Sequence, residues 1–355
     1  MKIAMITDIH FGVRNDSHFF HDNLFKFIEG VFLPYIEENE IKTLLILGDT
    51  WDRRKYVNFY TLNDVRKRFF DKLSQLGVAV KIIYGNHDVY FKNTNDVNSI
   101  DLLFDSYQNV EVVNDYKVFD FDGLKVGMIS WIHNENLEES LEWISTVECD
   151  VLCGHFEIKN FEMIKGQYCE HGFEPSIFDR FEYVFSGHFH VINNDGRIFY
   201  IGNPNQTNWS DYGLKKGFHV FDTESRSIKF IENPFTVYEK YHYDESIDLL
   251  SFDYDRFEDK IVRVYVNSFD ISNRRKFDLF IDKISQVSFS VDIQEIDPAF
   301  NQIDPDGEIE VQYTDTMSLI EQYIESINSD GIDKKKLRSY FSDIYNEAIE
   351  KTVTA

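Results

Sequence analysis

Five short stretches of this chain place oxygen and nitrogen donors directly after apolar runs. Tyr84-Gly85-Asn86-His87-Asp88 brings an amide oxygen, an imidazole and a carboxylate to one turn, with Gly85 expected to allow a tight, positive-φ bend. Asp8-Ile9-His10 follows Ile3-Ala4-Met5-Ile6, and Gly48-Asp49-Thr50-Trp51-Asp52 follows Leu44-Leu45-Ile46-Leu47. Gly154-His155 follows Val151-Leu152-Cys153, and Gly187-His188-Phe189-His190 follows Val184-Phe185-Ser186. Asp8 and His10, like His188 and His190, sit at i and i+2, so in extended chain each pair faces one side. A single such pair is an ordinary accident of a polar turn, but five donor-bearing strand ends in one chain point to a metal site. Carboxylate, amide and imidazole donors without a motif cysteine suit Mn²⁺, Fe²⁺ or a catalytic Zn²⁺ better than a structural thiolate zinc. Two ions about 3.5–4 Å apart, bridged by a carboxylate, would activate water and clamp a phosphoryl group for in-line attack. Asp49 is the best bridge, because its strand end should lie between the others. His87, beside Asn86, is then left to protonate a leaving oxygen.

Loops that carry such donors sit at the carboxyl ends of strands in parallel α/β sheets. Residues 1–235 alternate accordingly. Strand-like runs are separated by helical apolar spacing over 17–39, where Pro34 should kink or interrupt the helix near its end, and over 58–76. After a polar loop at 92–98, strands dominate (110–113, 116–121, 124–129), with Asp122-Gly123 as a hairpin turn. A helix at 137–147 and strands at 149–153, 197–201, 217–222 and 227–231 complete this part. The expected fold class is α/β: two packed β-sheets flanked by helices. Residues 236–296 read as a small α+β unit with strands at 237–243, 260–267 and 288–296 and a helix at 273–287. Residues 297–311 read as a linker, and 312–355 as a tail of two amphipathic helices, 317–327 and 334–349.

The chain has 355 residues, 43% of them hydrophobic, which is ample for a packed core and excludes bulk disorder. No run approaches a membrane span, and with Asp8 and His10 already in the first ten residues no secretory leader is expected. Cys149, Cys153 and Cys169 form no C-x-x-C pair and read as reduced thiols in a cytoplasm. The net charge of −26 argues against autonomous nucleic-acid binding, which normally rests on Lys and Arg. Residues 295–355 carry 14 acidic and 5 basic side chains, so part of that excess lies away from the donor loops.

Asp-x-His, Gly-Asp-x-x-Asp, Gly-Asn-His-Asp, Gly-His and Gly-His-x-His, in this order, resemble the calcineurin-type metallophosphoesterases. Three further features narrow the likeness: Asp8-Ile9-His10-Phe11-Gly12, Tyr200-Ile201-Gly202-Asn203-Pro204 after the last motif, and the small unit and tail that follow. The layout is similar to the SbcD-type (meiotic recombination eleven) nuclease subunits of DNA-repair complexes. Length, Trp131 and Gly154-His155-Phe156-Glu157 look most like the T-even phage recombination endonuclease branch. The resemblance implies two divalent ions, Mn²⁺ first with Mg²⁺, Fe²⁺ or Zn²⁺ as alternatives. Asp8, His10, Asp49 and His190 would hold one, and Asp49, Asn86, His155 and His188 the other. His87 would be the proton donor or phosphate positioner, and Asp88 would orient His87 or its backbone. It further implies a capping, DNA-binding role for 236–296, a homodimer, and an SbcC-type coiled-coil ATPase docked on the tail; the apolar face of 58–76, if exposed, is one candidate dimer surface. Asp52-Arg53-Arg54 departs from relatives that place a further His there, which leaves substrate positioning open.

Arg14, Arg53, Arg54, Lys55 and Lys92 lie beside the motif loops and could meet DNA phosphates, or could simply be solvated charge. His18, His21, His133, His219 and His242 lack a matching strand-end context and read as structural, and Cys169-Glu170-His171 as loop. No P-loop motif occurs, so ATP hydrolysis by that route is not expected. The leading expectation is a dimetal exonuclease and endonuclease acting on DNA ends in recombination-dependent repair and replication. Its rivals are a related phosphodiesterase acting on nucleotides or phosphoproteins, and a scaffold that keeps the fold without catalysis.

Overall fold

The computed structural model describes residues 1–266, 273–295 and 336; residues 1–295 form one compact unit. The expected tail helices lie outside the described residues. In chain order, the strands are β1 (Lys2–Ile6), β2 (Thr43–Leu47), β3 (Ala79–Ile83), β4 (Val110–Val113), β5 (Tyr116–Phe121), β6 (Leu124–Ile129) and β7 (Val151–Gly154). A short hairpin, β8 (Glu162–Ile164) and β9 (Gln167–Tyr168), precedes β10 (Tyr183–Ser186), β11 (Asn193–Asn194), β12 (Ile198–Tyr200), β13 (Gly217–Asp222) and β14 (Ile228–Glu232).

These strands make two six-stranded sheets, ordered β14-β13-β1-β2-β3-β4 and β11-β12-β10-β7-β6-β5. β1 to β4 are parallel neighbours, as are β6, β7, β10 and β12, so the donor loops of each sheet leave from one end. The period-2 alternation of strand side chains sorts β1 into two cores. Ile3 and Met5 face Val126, Met128, Val151 and Phe185 of the second sheet, while Ala4 and Ile6 pack under the helices. β2 is buried along its whole length, as expected for a strand covered on both faces. A third core, with Leu152, Val184, Phe156 and Tyr200, covers the outer face of the second sheet.

The helix expected over 17–39 is His18–Phe27, a wide π turn at Ile28–Phe32, and Leu33–Glu38. The interruption precedes Pro34, whose ring crowds the carbonyl four residues back and which has no N–H to donate there. The helix expected over 58–76 has the same form: Phe59–Val65, a π turn Arg66–Phe70, and Asp71–Gln75. Its apolar face is no free surface, since Val65, Phe69, Phe70 and Leu73 are buried in the chain's own core. That corrects the expected dimer surface; what stands out into solvent nearby is Phe59, Tyr60 and Leu102. The loop at 92–98 leads into a helix that the sequence reading missed, Ser99–Phe104, capped by the Asn98 side chain accepting from Asp101 N–H at 2.8 Å.

Beyond residue 235, β15 (Tyr238–His242), β16 (Ile261–Val266) and β17 (Ser290–Glu295) form a separate parallel sheet. Helix Arg274–Val287 crosses between the last two and buries Phe277, Phe280 and Ile284. This small unit is joined to the rest by Phe20, Val237 and Tyr238. Gln206 Oε1 accepts from the backbone N–H of Val237 and Tyr238 (2.8 and 3.1 Å), and Arg263 stacks on Trp209 at 4.1 Å.

Candidate dimetal centre

The donors meet where the carboxyl ends of β1, β2, β3, β7 and β10 converge. Asp8, His10 and His190 offer one set of atoms within 4.8 Å of one another, Asp49, His155 and His188 another, and His10, Asp49 and His87 a third. In the first, His10 Nε2 is 3.2 Å from His190 Nε2, and Asp8 Oδ1 lies 4.0 Å from His10 Nε2 and 3.8 Å from His190 Nε2. In the second, Asn86 Oδ1 lies 3.2 Å from His155 Nε2 and 3.0 Å from His188 Nδ1. Asp49 Oδ2 is 3.8 Å from His10 Nε2 and 3.4 Å from His155 Nε2, so one carboxylate oxygen faces both sets.

Asp8 and His10 converge, but not through extended backbone. Asp8, His10 and Asp49 have φ near 50° and His188 has φ 84°, conformations rare for residues with a Cβ and costing roughly 1–3 kcal/mol each. The loops lock one another in place: Asp8 N–H donates to Gly48 O, and His10 N–H to Asp49 O, both at 3.1 Å. Gly85 does not have positive φ; it is needed for close approach, because a Cβ there would fall 2.1 Å from Asp49 Oδ1. A Cβ on Gly187 would lie 2.0 Å from Thr7 Oγ1.

One nitrogen of each of three imidazoles is tied off, which aims the other. His155 Nδ1 donates to Leu47 O (2.8 Å) and His188 Nε2 to Glu157 Oε1 (2.9 Å). His87 Nδ1 donates to Asp52 O (2.7 Å), leaving Nε2 for the cleft, while His87 N–H donates to Asp49 Oδ1 (2.8 Å). Asp88, expected to orient His87 or its backbone, makes no side-chain bond to the His87 ring; it accepts from the N–H groups of Gly85, Trp51 and Thr50 at 2.9, 3.1 and 3.3 Å, closing the turn that carries His87. It clamps two donor loops together.

The electrostatics favour a bound cation. Burial lowers His10 well below the usual imidazole range, and burial with Lys216 nearby lowers His190 to about 3, so both present lone pairs at neutral pH. Burial pushes the Asp8 carboxyl up to about 6 against the pull of His155. Burial also opposes ionisation of Asp49, but His155 and His10 hold it well below the usual carboxylate range. Against its own burial, His155 is raised to about 9 by Asp49 and Asp8. Two neutral imidazoles 3.2 Å apart, an amide oxygen and two buried carboxylates crowd into one pocket, an array of donors that a cation would draw together. The donor set therefore fits divalent metal.

The centre opens into a cleft of about 340 Å³ that includes His87, Arg14, Thr207 and Asn208. A larger cavity of about 520 Å³, lined by His219, Phe199 and Phe230, holds none of these donors and is set aside for the chemistry. The basic residues take varied positions. Arg14 lines the cleft and donates to Thr207 O (2.8 Å). Arg53 is committed to Asp16 (3.2 Å), Tyr56 (2.6 Å) and Asn15, and Arg54 donates to Asn86 O (2.7 Å). Lys55 is exposed, and Lys92 lines a second groove that also includes His155.

Two supporting layers went unread in the sequence. Glu157 sits two residues after His155, a spacing that could have flagged it. Lys216 gave no signal, because a buried lysine looks like any other in sequence. Its ammonium donates to Asp211 Oδ1 (2.5 Å), Asn203 Oδ1 (2.5 Å) and His190 O (3.0 Å).

The sequence profile of the calcineurin-like phosphoesterases matches residues 1–192. This chain belongs to that family. It is therefore a metal-dependent phosphodiesterase. Over 353 residues, 99% of this chain and 100% of the relative, it is 32% identical to exonuclease subunit 1 of Enterobacteria phage T4. Among solved structures it is similar to an archaeal phosphodiesterase (16% identity, 66% of this chain and 100% of that one, TM-score 0.33). Another is GAP50, an anchor in the inner membrane complex of Plasmodium (12% identity, 65% and 84%, TM-score 0.37). These two likenesses are distant and bear no weight here. Among the described residues, no helix of this phosphoesterase is long and apolar enough to cross a membrane.

Proposed function

We propose that this chain is the nuclease subunit of a two-component enzyme that processes DNA ends in recombination-dependent repair and replication. The observation that carries this reading is the pair of donor sets sharing Asp49 beneath the cleft that holds His87. The full-length likeness to a phage exonuclease subunit supports DNA as the substrate. Asp8, His10, Asp49 and His190 would hold one divalent ion, and Asp49, Asn86, His155 and His188 the other; mixed oxygen and imidazole donors suit Mn²⁺, Fe²⁺ or Zn²⁺, and the likeness to the SbcD-type nucleases favours Mn²⁺. Bound there, the ions lower the pKa of water and offset charge on the phosphoryl oxygens. His87 offers Nε2 to the leaving oxygen while the Asp52 carbonyl fixes its ring. Asp8 N–H and His10 N–H, bonded to the neighbouring loop, keep the donors from spreading as substrate enters.

The chain works in a cytoplasm as a homodimer, docked on an SbcC-type coiled-coil ATPase through its tail. Residues 236–296 act as a cap that contacts DNA. Cys149, Cys153 and Cys169 are free thiols. Degradation of linear duplex DNA in Mn²⁺, compared with hydrolysis of a small phosphodiester, tests the core of this reading. Cleavage of both supports a nuclease, cleavage of only the small ester a different phosphodiesterase, and cleavage of neither a scaffold. Removing residues 312–355 should leave a folded, metal-loaded enzyme that no longer co-purifies with the ATPase; unchanged affinity would overturn the docking assignment.

A further inference from the structure

The −26 chain has to hold a polyanion, yet the cations beside its cleft are largely committed to the protein itself. Arg53 and Arg54 fix Asp16, Asn15 and the Asn86 carbonyl, and Arg14 is bonded to Thr207 O. Attraction to phosphate by surface Lys and Arg is therefore a weak source of grip here. A second groove, also about 340 Å³, shares His155 with the donor cluster. Its walls include Lys92, Trp131, His133, Leu137, His171 and Phe173, with His155 and Glu157 at its inner end. It begins at the cluster itself, since Glu157 Oε1 is 2.9 Å from His188 Nε2. Trp131 is only half-buried, and its ring lies 5.5 Å from His188 and 5.9 Å from His155.

Resting on the nuclease reading, we propose that this groove seats the unpaired nucleobase next to the scissile phosphate, with Trp131 as its stacking platform. A base inside a duplex has both faces stacked on its neighbours, so a base laid on Trp131 comes from a frayed or single-stranded segment at the cleaved linkage. Every base offers a π face, so stacking attracts DNA without reading sequence and without a cationic surface. Lys92 at the groove edge adds a single charge near the adjoining backbone. His133 and His171, which read as structural or loop residues in sequence, become groove walls.

The test compares single-stranded oligonucleotides that carry a base, or an abasic residue, on either side of one scissile linkage, in Mn²⁺. In the wild-type protein kcat/KM should fall roughly five- to 150-fold when the base in the groove is missing. In Trp131→Ala that ratio should collapse towards one, whereas damage to metal binding would slow both substrates alike and leave the ratio intact. His171→Ala, on an exposed position, provides a second variant whose ratio should drop below the wild-type value. An equal rate on base-bearing and abasic strands in the wild type, or an undiminished ratio in both variants, overturns the proposal. Failure of the wild type to cleave any strand would instead sink the nuclease reading, and this inference with it.

Discussion

Lys216 offers the sharpest test of how the centre is held. Its side chain is 3% exposed and that of Asp211 2%, and the ammonium also anchors the carbonyl of His190. Lys216→Met keeps most of the stem and volume but leaves Asp211 as a buried anion without a countercharge. Breaking one side of such a pair costs about 3–5 kcal/mol. Asp211 Oδ2 still accepts from Thr207 N–H (2.7 Å), Thr207 Oγ1 (3.1 Å) and Asn208 N–H (3.2 Å), which softens the loss. The lower end, about 3 kcal/mol, is therefore expected. Adding Asp211→Asn removes the stranded charge and should restore at least about 1 kcal/mol, because replacing both members of a buried pair is far cheaper than removing one. Urea unfolding of metal-free protein, read as a shift in midpoint at constant slope, measures both effects. Metal analysis should show weaker retention at the His190 site in both variants, since neither restores the tether on the His190 carbonyl. A loss below about 1 kcal/mol in Lys216→Met, or a double variant no more stable than the single, would refute the argument.

Three further outcomes follow from the centre and the cores. Asp49→Asn should lower metal occupancy at both positions and Asp8→Asn mainly at one; two ions retained in the Asp49 variant would end the bridging assignment. His87→Ala should abolish turnover while metal content and unfolding midpoint stay as in the wild type, and joint loss of metal and activity would show His87 to be a ligand. Burial lowers His219 from 6.5 to about 4, so the unfolded chain binds its proton first as pH falls. His219 thus leaves stability whole above pH 6.5, and about 3 kcal/mol is lost progressively between pH 6.5 and 4. His219→Leu should flatten that part of the stability–pH curve, and an unchanged slope would count against burial as the cause.

Much of the fold was legible because strand burial writes itself into composition. The apolar runs at 3–6 in β1 and 44–47 in β2 announce strands buried on both faces, and β4, β5, β6 and β13 fall where their patterns end. The donors were legible for the same reason, since a polar residue directly after a buried strand needs an explanation. What stayed hidden depends on neighbours distant in sequence. The π turn at Arg66–Phe70 lies inside a helix whose apolar spacing barely changes, whereas Pro34 marked the interruption at Ile28–Phe32 in advance. The dimer surface expected on 58–76 failed because an apolar helix face reads the same whether its own sheet or a second copy covers it.

The centre also shows why correct residues can be found for an incomplete reason. The i, i+2 spacing of Asp8 and His10 suggested one face of an extended strand, yet both residues are left-handed, and the pair converges because the backbone bends around it. With His188 and Asp49 also left-handed, the centre carries roughly 4–12 kcal/mol of backbone strain. The protein supplies restraints of its own: the bonds between the loops after β1 and β2, the close approach at Gly85 and Gly187, and the fully buried Asp88 carboxylate bridging Gly85 to Thr50 and Trp51. Asp88 thus belongs to the centre as the clamp that keeps Asp49 and Asn86 in register, and its place beside His87 in sequence is a consequence of that task.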